Sequence, residues 1–258
     1  MNFVDSHCHM DSFEERTGID FKSWWESVAP KPDAVIQVAC DETSFAYTKN
    51  LSDEFPRVYA AYGVHPSNAD EYSESTEREL LDLWRKSKTV GIGEIGLDYH
   101  YEGASHERQR DVFARQLEIG KPFHKTFVLH LRDAEADSLD VLRSANLDGA
   151  TIHLHSCTAS TDFVENVLAL PARVYVGFTG ILTFKNAESV REAASRVPIE
   201  RLLLETDAPY LAPVPFRGKA SHAGMIPQIG EVLARVKGVP FETLMETVRK
   251  NTRDCYGI

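Results

Sequence analysis

The chain has 258 residues, 43% of them hydrophobic and 26% charged, with a formal net charge of −11. That length suits one large core, and no Ser/Gly/Pro-rich linker, low-complexity run or short repeat divides it, so residues 1–258 read as one domain. The acidic balance argues against broad electrostatic adhesion to nucleic acid or anionic membrane, although a local cationic site or bound metal can reverse the sign where it counts.

Short apolar or β-branched runs alternate with amphipathic, charged stretches. Phe3–His7 predicts the first strand, and His7 and His9 stand two residues apart, so both imidazoles can aim at one point. Ala34–Ala39 and Val58–Val64 follow, the latter running into His65-Pro66. Thr76–Lys86 has helical spacing, with Leu80, Leu81, Leu83 and Trp84 on one side. A fourth strand, Val90–Glu94, opens Gly93-Glu94-Ile95-Gly96-Leu97-Asp98-Tyr99 and precedes a helix over Glu107–Ile119. Thr126–Leu131 carries His130 and leads to Asp133–Arg143; Thr151–His155 carries His153 and His155 and leads to Asp162–Leu168. Val174–Phe178, the helix Ala187–Arg196 and Leu202–Glu205 come next, the last strand running into Thr206-Asp207. Helices over Ile226–Lys237 and Phe241–Asn251 close the series. Eight strands alternating with helices predict parallel pairing and a closed (β/α)8 TIM barrel, an α/β fold in a single domain. No Gly-x-Gly-x-x-Gly follows the first strand, which counts against dinucleotide binding.

In such a barrel the chemistry gathers at the C-terminal ends of the strands. A bare His-x-His reads as readily as two surface histidines, but six of the eight predicted strand ends here carry histidine or acid. That coincidence points to a metallohydrolase. Two divalent ions about 3.5–4 Å apart can hold the attacking and leaving oxygens of an in-line displacement at phosphorus. His7, His9 and Asp207 are assigned to one ion, His130 and His155 to the other, and Glu94, flanked by glycines, is the shared bridge. Asp207 and Glu94 are the catalytic pair, with Asp207 placed to take a proton from water. Imidazoles favour Zn, Mn or Ni, while carboxylates and water also admit Mg.

The motifs Asp5-Ser6-His7-Cys8-His9, Gly63-Val64-His65-Pro66, Gly93–Tyr99, His130–Asp133, His155-Ser156, Gly177–Gly180, Glu205–Pro213 and Pro215–Lys219 occur in this order over nearly the whole chain. Together they resemble the TatD family of metal-dependent DNases, within the amidohydrolase-like barrels. The resemblance implies a divalent-metal centre at His7, His9, Glu94, His130, His155 and Asp207. It also implies deoxyribonuclease activity, often exonucleolytic from the 3′ end. One stretch departs: the family follows its strand-six histidine with an aromatic residue and a glycine, whereas here the run is His155-Ser156-Cys157-Thr158-Ala159. Period two lets either His153 or His155 face inward; the motif and the position nearer the strand end favour His155, leaving His153 deeper as a hydrogen-bonded core residue.

His65, Tyr99, Arg132, Arg217 and Lys219 are the substrate-binding candidates: His65 at a strand end, Tyr99 in an aromatic cluster with His100 and Tyr101 suited to base stacking, and the three cations for phosphate oxygens. Glu205 shares a face with Asp207 and is read as orienting a ligand imidazole. The four cysteines are scattered and make neither a disulfide framework nor a zinc finger. The chain enters Asp5 and His7 with no secretory pattern and has no bilayer-length apolar run. The expectation is a cytoplasmic monomer, free of membrane, acting on DNA, single-stranded or at 3′ ends, with two divalent ions (Mg, Mn or Zn). The rival is a metal-dependent amidohydrolase or esterase cleaving a small carbonyl substrate or an aminoacyl-tRNA ester.

Overall fold

The computed structural model describes residues 2–258. Its strands are β1 (Val4–Cys8), β2 (Ala34–Ala39), β3 (Val58–Tyr62), β4 (Thr89–Asp98), β5 (Thr126–Arg132), β6 (Thr151–Leu154), β7 (Arg173–Phe178) and β8 (Leu202–Leu204). They lie side by side in sequence order and every pair is parallel. The ring closes where Cys8 pairs with Ala208. There the His9 N–H donates to the Ala208 carbonyl at 2.8 Å and the Asp207 N–H to the His7 carbonyl at 3.0 Å. The result is the predicted single-domain (β/α)8 barrel.

Around it run α1 (Met10–Thr17), α2 (Phe21–Ser27), α3 (Glu42–Glu54), α4 (Glu74–Trp84), α5 (His106–Gly120), α6 (Glu135–Ser144), α7 (Thr161–Leu168), α8 (Glu188–Arg196), α9 (Ile226–Lys237) and α10 (Phe241–Tyr256). Several start on a side chain that accepts a backbone N–H otherwise left unpaired. Asp20, Asp41, Ser73, Ser105 and Ser160 play this part for α2, α3, α4, α5 and α7. Among the described residues no helix is long and apolar enough to cross a membrane.

Two apolar layers follow from the alternation of side chains along each strand. Val35, Ile92, Phe127, Ile152 and Val176 face outward against the helices. Ile36, Val38, Ala61, Val90, Val128, Tyr175 and Leu203 fill the lower barrel, where Cys255 and Tyr256 of α10 form its floor. Two residues further along, the same inward face changes chemistry: Val128 gives way to His130, and Leu203 to Glu205 and Asp207. The apolar plug thus sits beneath the polar end.

β4 runs on to Asp98 where the pattern predicts Val90–Glu94. Its register against β5 shifts between Ile92 and Ile95. Gly93 and Gly96 have φ of 151° and 148°. A Cβ on Gly96 would stand 1.9 Å from the His130 carbonyl oxygen, and one on Gly93 2.3 Å from that of Val128. Only glycine lets the strand close on β5 in this way, which turns Glu94 into the barrel.

Candidate active site

Glu94 is buried at the centre of the upper barrel, and its two oxygens face different partners. Oε2 lies 3.2 Å from His7 Nε2 and 3.6 Å from His9 Nε2. Oε1 lies 2.6 Å from His130 Nδ1 and 3.6 Å from His155 Nε2. Asp207 Oδ1 completes the group, 3.4 Å from His9 Nε2, 3.8 Å from His155 Nε2 and 3.9 Å from His7 Nε2. Asp207 reaches this place with a left-handed backbone, φ 55°. Such a conformation is costly for a residue other than glycine and concentrates at functional sites.

The donor set fits divalent cations. Ligand atoms 2.0–2.2 Å from a zinc-sized ion stand roughly 3 to 3.6 Å apart; the His7, His9 and Glu94 atoms have this spacing, Asp207 stands slightly wider, and His130 meets Glu94 directly. His7 Nε2 and His9 Nε2 face each other at 3.1 Å. The His9 Nδ1–H donates to the Val38 carbonyl at 3.0 Å, which turns Nε2 towards its neighbour. Burial, with His155 close by, lowers the His7 pKa to about 4, so this imidazole is neutral and ready to ligate. Its ring stacks on that of His155 at 3.5 Å between centroids. Among the described residues, two groups meet in Glu94, one of it with His7 and His9 and one of it with His130 and His155. Burial works against the charge on Glu94, but the His155 and His7 imidazoles and the His130 hydrogen bond hold its pKa well below the usual range.

The ligand-type imidazoles are themselves held. Asp98 Oδ2 lies 2.8 Å from His130 Nε2. Burial opposes a proton on His130, yet Asp98 and Glu94 on its two nitrogens raise it to about 9. Glu205 Oε2 stands 3.2 Å from His155 Nδ1 and 3.0 Å from His153 Nε2, while Oε1 accepts the Ser156 N–H. Beyond it, His153 Nδ1 meets the Tyr256 hydroxyl of α10 at 2.7 Å. The space for this file of groups exists because residue 177 has no side chain: a Cβ there would lie 2.3 Å from His153 Nε2. Above the donors opens a cleft of about 570 Å³ lined by His9, Glu94, His130, His155 and Asp207. A second depression, about 530 Å³ between α5 and α6, holds none of them; the chemistry, not the volume, selects the first.

The family model described as TatD related DNase matches residues 4–257. The chain belongs to the TatD family. YcfH of Escherichia coli strain K12, described as an uncharacterized metal-dependent hydrolase, is 36% identical over 97% of this chain and 94% of its own length. The human 3'-5' RNA nuclease TATDN2 is 35% identical over 99% of this chain but only 35% of its own length. The crystal structure of YjjV, a TatD homologue from E. coli K12, superposes with a TM-score of 0.89 at 25% identity, covering 99% and 98% of the two chains. This TatD chain is therefore a metal-dependent hydrolase.

The remaining candidates divide. His65 lines the cleft, with Nε2 3.9 Å from Glu94 Oε1 and its ring edge-on to His130. Arg132 lines it too. Tyr99 is turned away: its hydroxyl donates to Asp137 and its ring stacks on His106 at 3.5 Å. Arg217 lies over the Phe184 ring, 3.8 Å from its centre, and Lys219 over Phe216; neither lines the cleft. Other residues at the TatD site were not singled out from the sequence. Cys40 Sγ donates to Glu94 Oε2 at 3.6 Å, and burial pushes its thiol up to about 12. Its only signal was its place two residues past the inward Val38. Asp98 had a better one, four residues after Glu94 in the same motif.

Proposed function

We propose that this TatD protein hydrolyses DNA phosphodiester bonds with two divalent ions, removing nucleotides from 3′ ends of single strands. The observation that carries the reading is the division of Glu94 between two donor groups beneath an open cleft. His7, His9, Glu94 and Asp207 would hold one cation and His130, His155 and Glu94 the other. When bound, such cations offset charge on the phosphoryl oxygens and lower the pKa of water. Asp207, part-exposed at the cleft edge, takes the proton of the attacking water. Arg132 reaches phosphate oxygens from the β5 end, with a guanidinium suited to two parallel hydrogen bonds. Glu205 keeps the proton of His155 on Nδ1, so that Nε2 faces the centre. Zn, Mn and Mg all suit a set of imidazoles and carboxylates. The chain is taken to work as a cytoplasmic monomer.

The deciding experiment is digestion of end-labelled single- and double-stranded DNA, and of RNA, by protein stripped and reloaded with Mg, Mn or Zn. Stepwise shortening of DNA by the wild type and none by Asp207→Ala is the expected result. Preference for RNA would move the substrate towards the activity named for the human relative. Metal binding without any cleavage would transfer the reading to carbonyl substrates, a small amide, an ester or an aminoacyl-tRNA.

A further inference from the structure

Among the described residues four large apolar side chains are exposed, Ile19, Tyr101, Tyr210 and Val214, and two of them rim the cleft. Tyr101 is 65% exposed and Tyr210 48%. Scattered exposed apolar groups need no explanation, but both of these flank the same donors. Other tyrosines outside the helices and strands are anchored: Tyr72 and Tyr99 give their hydroxyls to Glu77 and Asp137. Tyr101 and Tyr210 have no such anchor among the described residues. Each ring is instead braced by a neighbour at the site. The Arg132 guanidinium lies 5.1 Å from the Tyr101 ring centre, and the His9 ring meets Tyr210 edge-on at 6.4 Å. Tyr101 follows β4 and Tyr210 follows β8, strands on opposite sides of an eight-membered ring. The two rings therefore stand across the mouth from one another with the donors between them.

We infer that Tyr101 and Tyr210 are stacking platforms for two unpaired nucleobases, one on each side of the scissile phosphodiester. The inference rests on the phosphodiesterase reading above and adds the part of the substrate that the cations do not touch. Stacking needs no cationic surface, so it suits a chain of net charge −11. Every base has a π-face, which makes such platforms tolerant of sequence. A base inside a duplex has both faces covered by its neighbours. The pair therefore selects single strands and frayed ends.

The test uses short labelled single strands that carry all their bases, or lack the terminal or the penultimate one. Binding is read by fluorescence anisotropy on Mn-loaded protein arrested by Asp207→Asn, and cleavage is followed with the wild type. Tyr101→Ala and Tyr210→Ala are each expected to weaken binding of the full strand roughly five- to hundredfold. Tyr101→Phe and Tyr210→Phe, which keep the ring, should bind as the parent. Each alanine penalty should vanish on the strand missing one particular base. Equal penalties with and without the bases, or phenylalanine variants as weak as the alanine ones, overturn the platforms. Intact and base-lacking strands cut equally well by the wild type remove the platforms and leave the nuclease reading. Strands discriminated but never cut keep the platforms and remove that reading.

Discussion

Asp207 is the residue on which geometry and chemistry press hardest. Its backbone sits at φ 55°, a region that asparagine tolerates and most other side chains do not. Asp207→Asn therefore removes the charge with the left-handed backbone intact, whereas alanine adds strain to the same loss. If the carboxylate is the general base, the asparagine variant should lose about 10²- to 10⁴-fold in kcat while its urea midpoint stays at the wild-type value. Wild-type turnover in that variant would take the role away from Asp207. His130 gives a second handle. In the metal-free protein its pKa is raised from 6.5 to about 9, burial being outweighed by Asp98 and Glu94. Its proton thus stabilises the metal-free fold fully below about pH 6.5, and this contribution is lost as pH rises through 9. A cation at Nδ1 must displace that proton. Apparent metal affinity should therefore climb with pH, by about tenfold per unit for each proton released, and level off above pH 9. Competition against a coloured chelator across this range reads the slope; a flat line means His130 gives up no proton. The ligand-type residues were legible because strand ends are where such a barrel places them. Tyr101 was legible only as part of the aromatic run Tyr99–Tyr101, and Tyr210 not at all, because loop residues carry no periodicity from which to read a direction.

At the scale of elements, α10 shows what pattern reading misses. The sequence predicts its end at Asn251, before the polar run Thr252-Arg253-Asp254, but the helix continues to Tyr256. Asn251 and Thr252 are buried and occupied, not solvated. Asn251 Nδ2 donates to the carbonyls of Ile199 and Leu202, and the Thr252 hydroxyl to that of Val248. The extra turn carries the Tyr256 hydroxyl into the barrel, between His153 Nδ1 and the Ser6 carbonyl. From there the contacts run through His153 and Glu205 to His155. Tyr256→Phe leaves a buried polar group without its partner, which should cost about 1–3 kcal/mol in urea unfolding. If the file of groups also orients His155, metal affinity should fall up to about tenfold, the low end of what lost outer contacts to a metal centre cost. Reduced stability with unchanged affinity would restrict Tyr256 to packing. β4 makes the complementary point: the run beyond Glu94 belongs to the strand because the close approach its glycines allow extends to β5 at Gly96.

For the whole molecule, the architecture was legible because eight apolar runs separated by amphipathic helices leave few alternatives to a ring of parallel strands. Closure of that ring was less so, since it depends on backbone pairing of Cys8 with Ala208 in a segment with no strand pattern. The charge of the whole molecule yields the last prediction. At −11, the surface repels a polyanion, and among the Lys and Arg side chains of the described residues only Arg132 lines the cleft. Two effects of salt then oppose each other. Releasing counterions from a single strand lowers log K against log salt with a slope of about −0.7 per neutralised phosphate, so one or two contacts give about −1. Screening of the acidic surface, over a length of about 10 Å at 0.1 M, works the other way. Anisotropy titrations between about 50 and 300 mM KCl should accordingly give a slope no steeper than about −1.5. A slope near −4 would require about six phosphate contacts, and with them a cationic track that this surface does not contain.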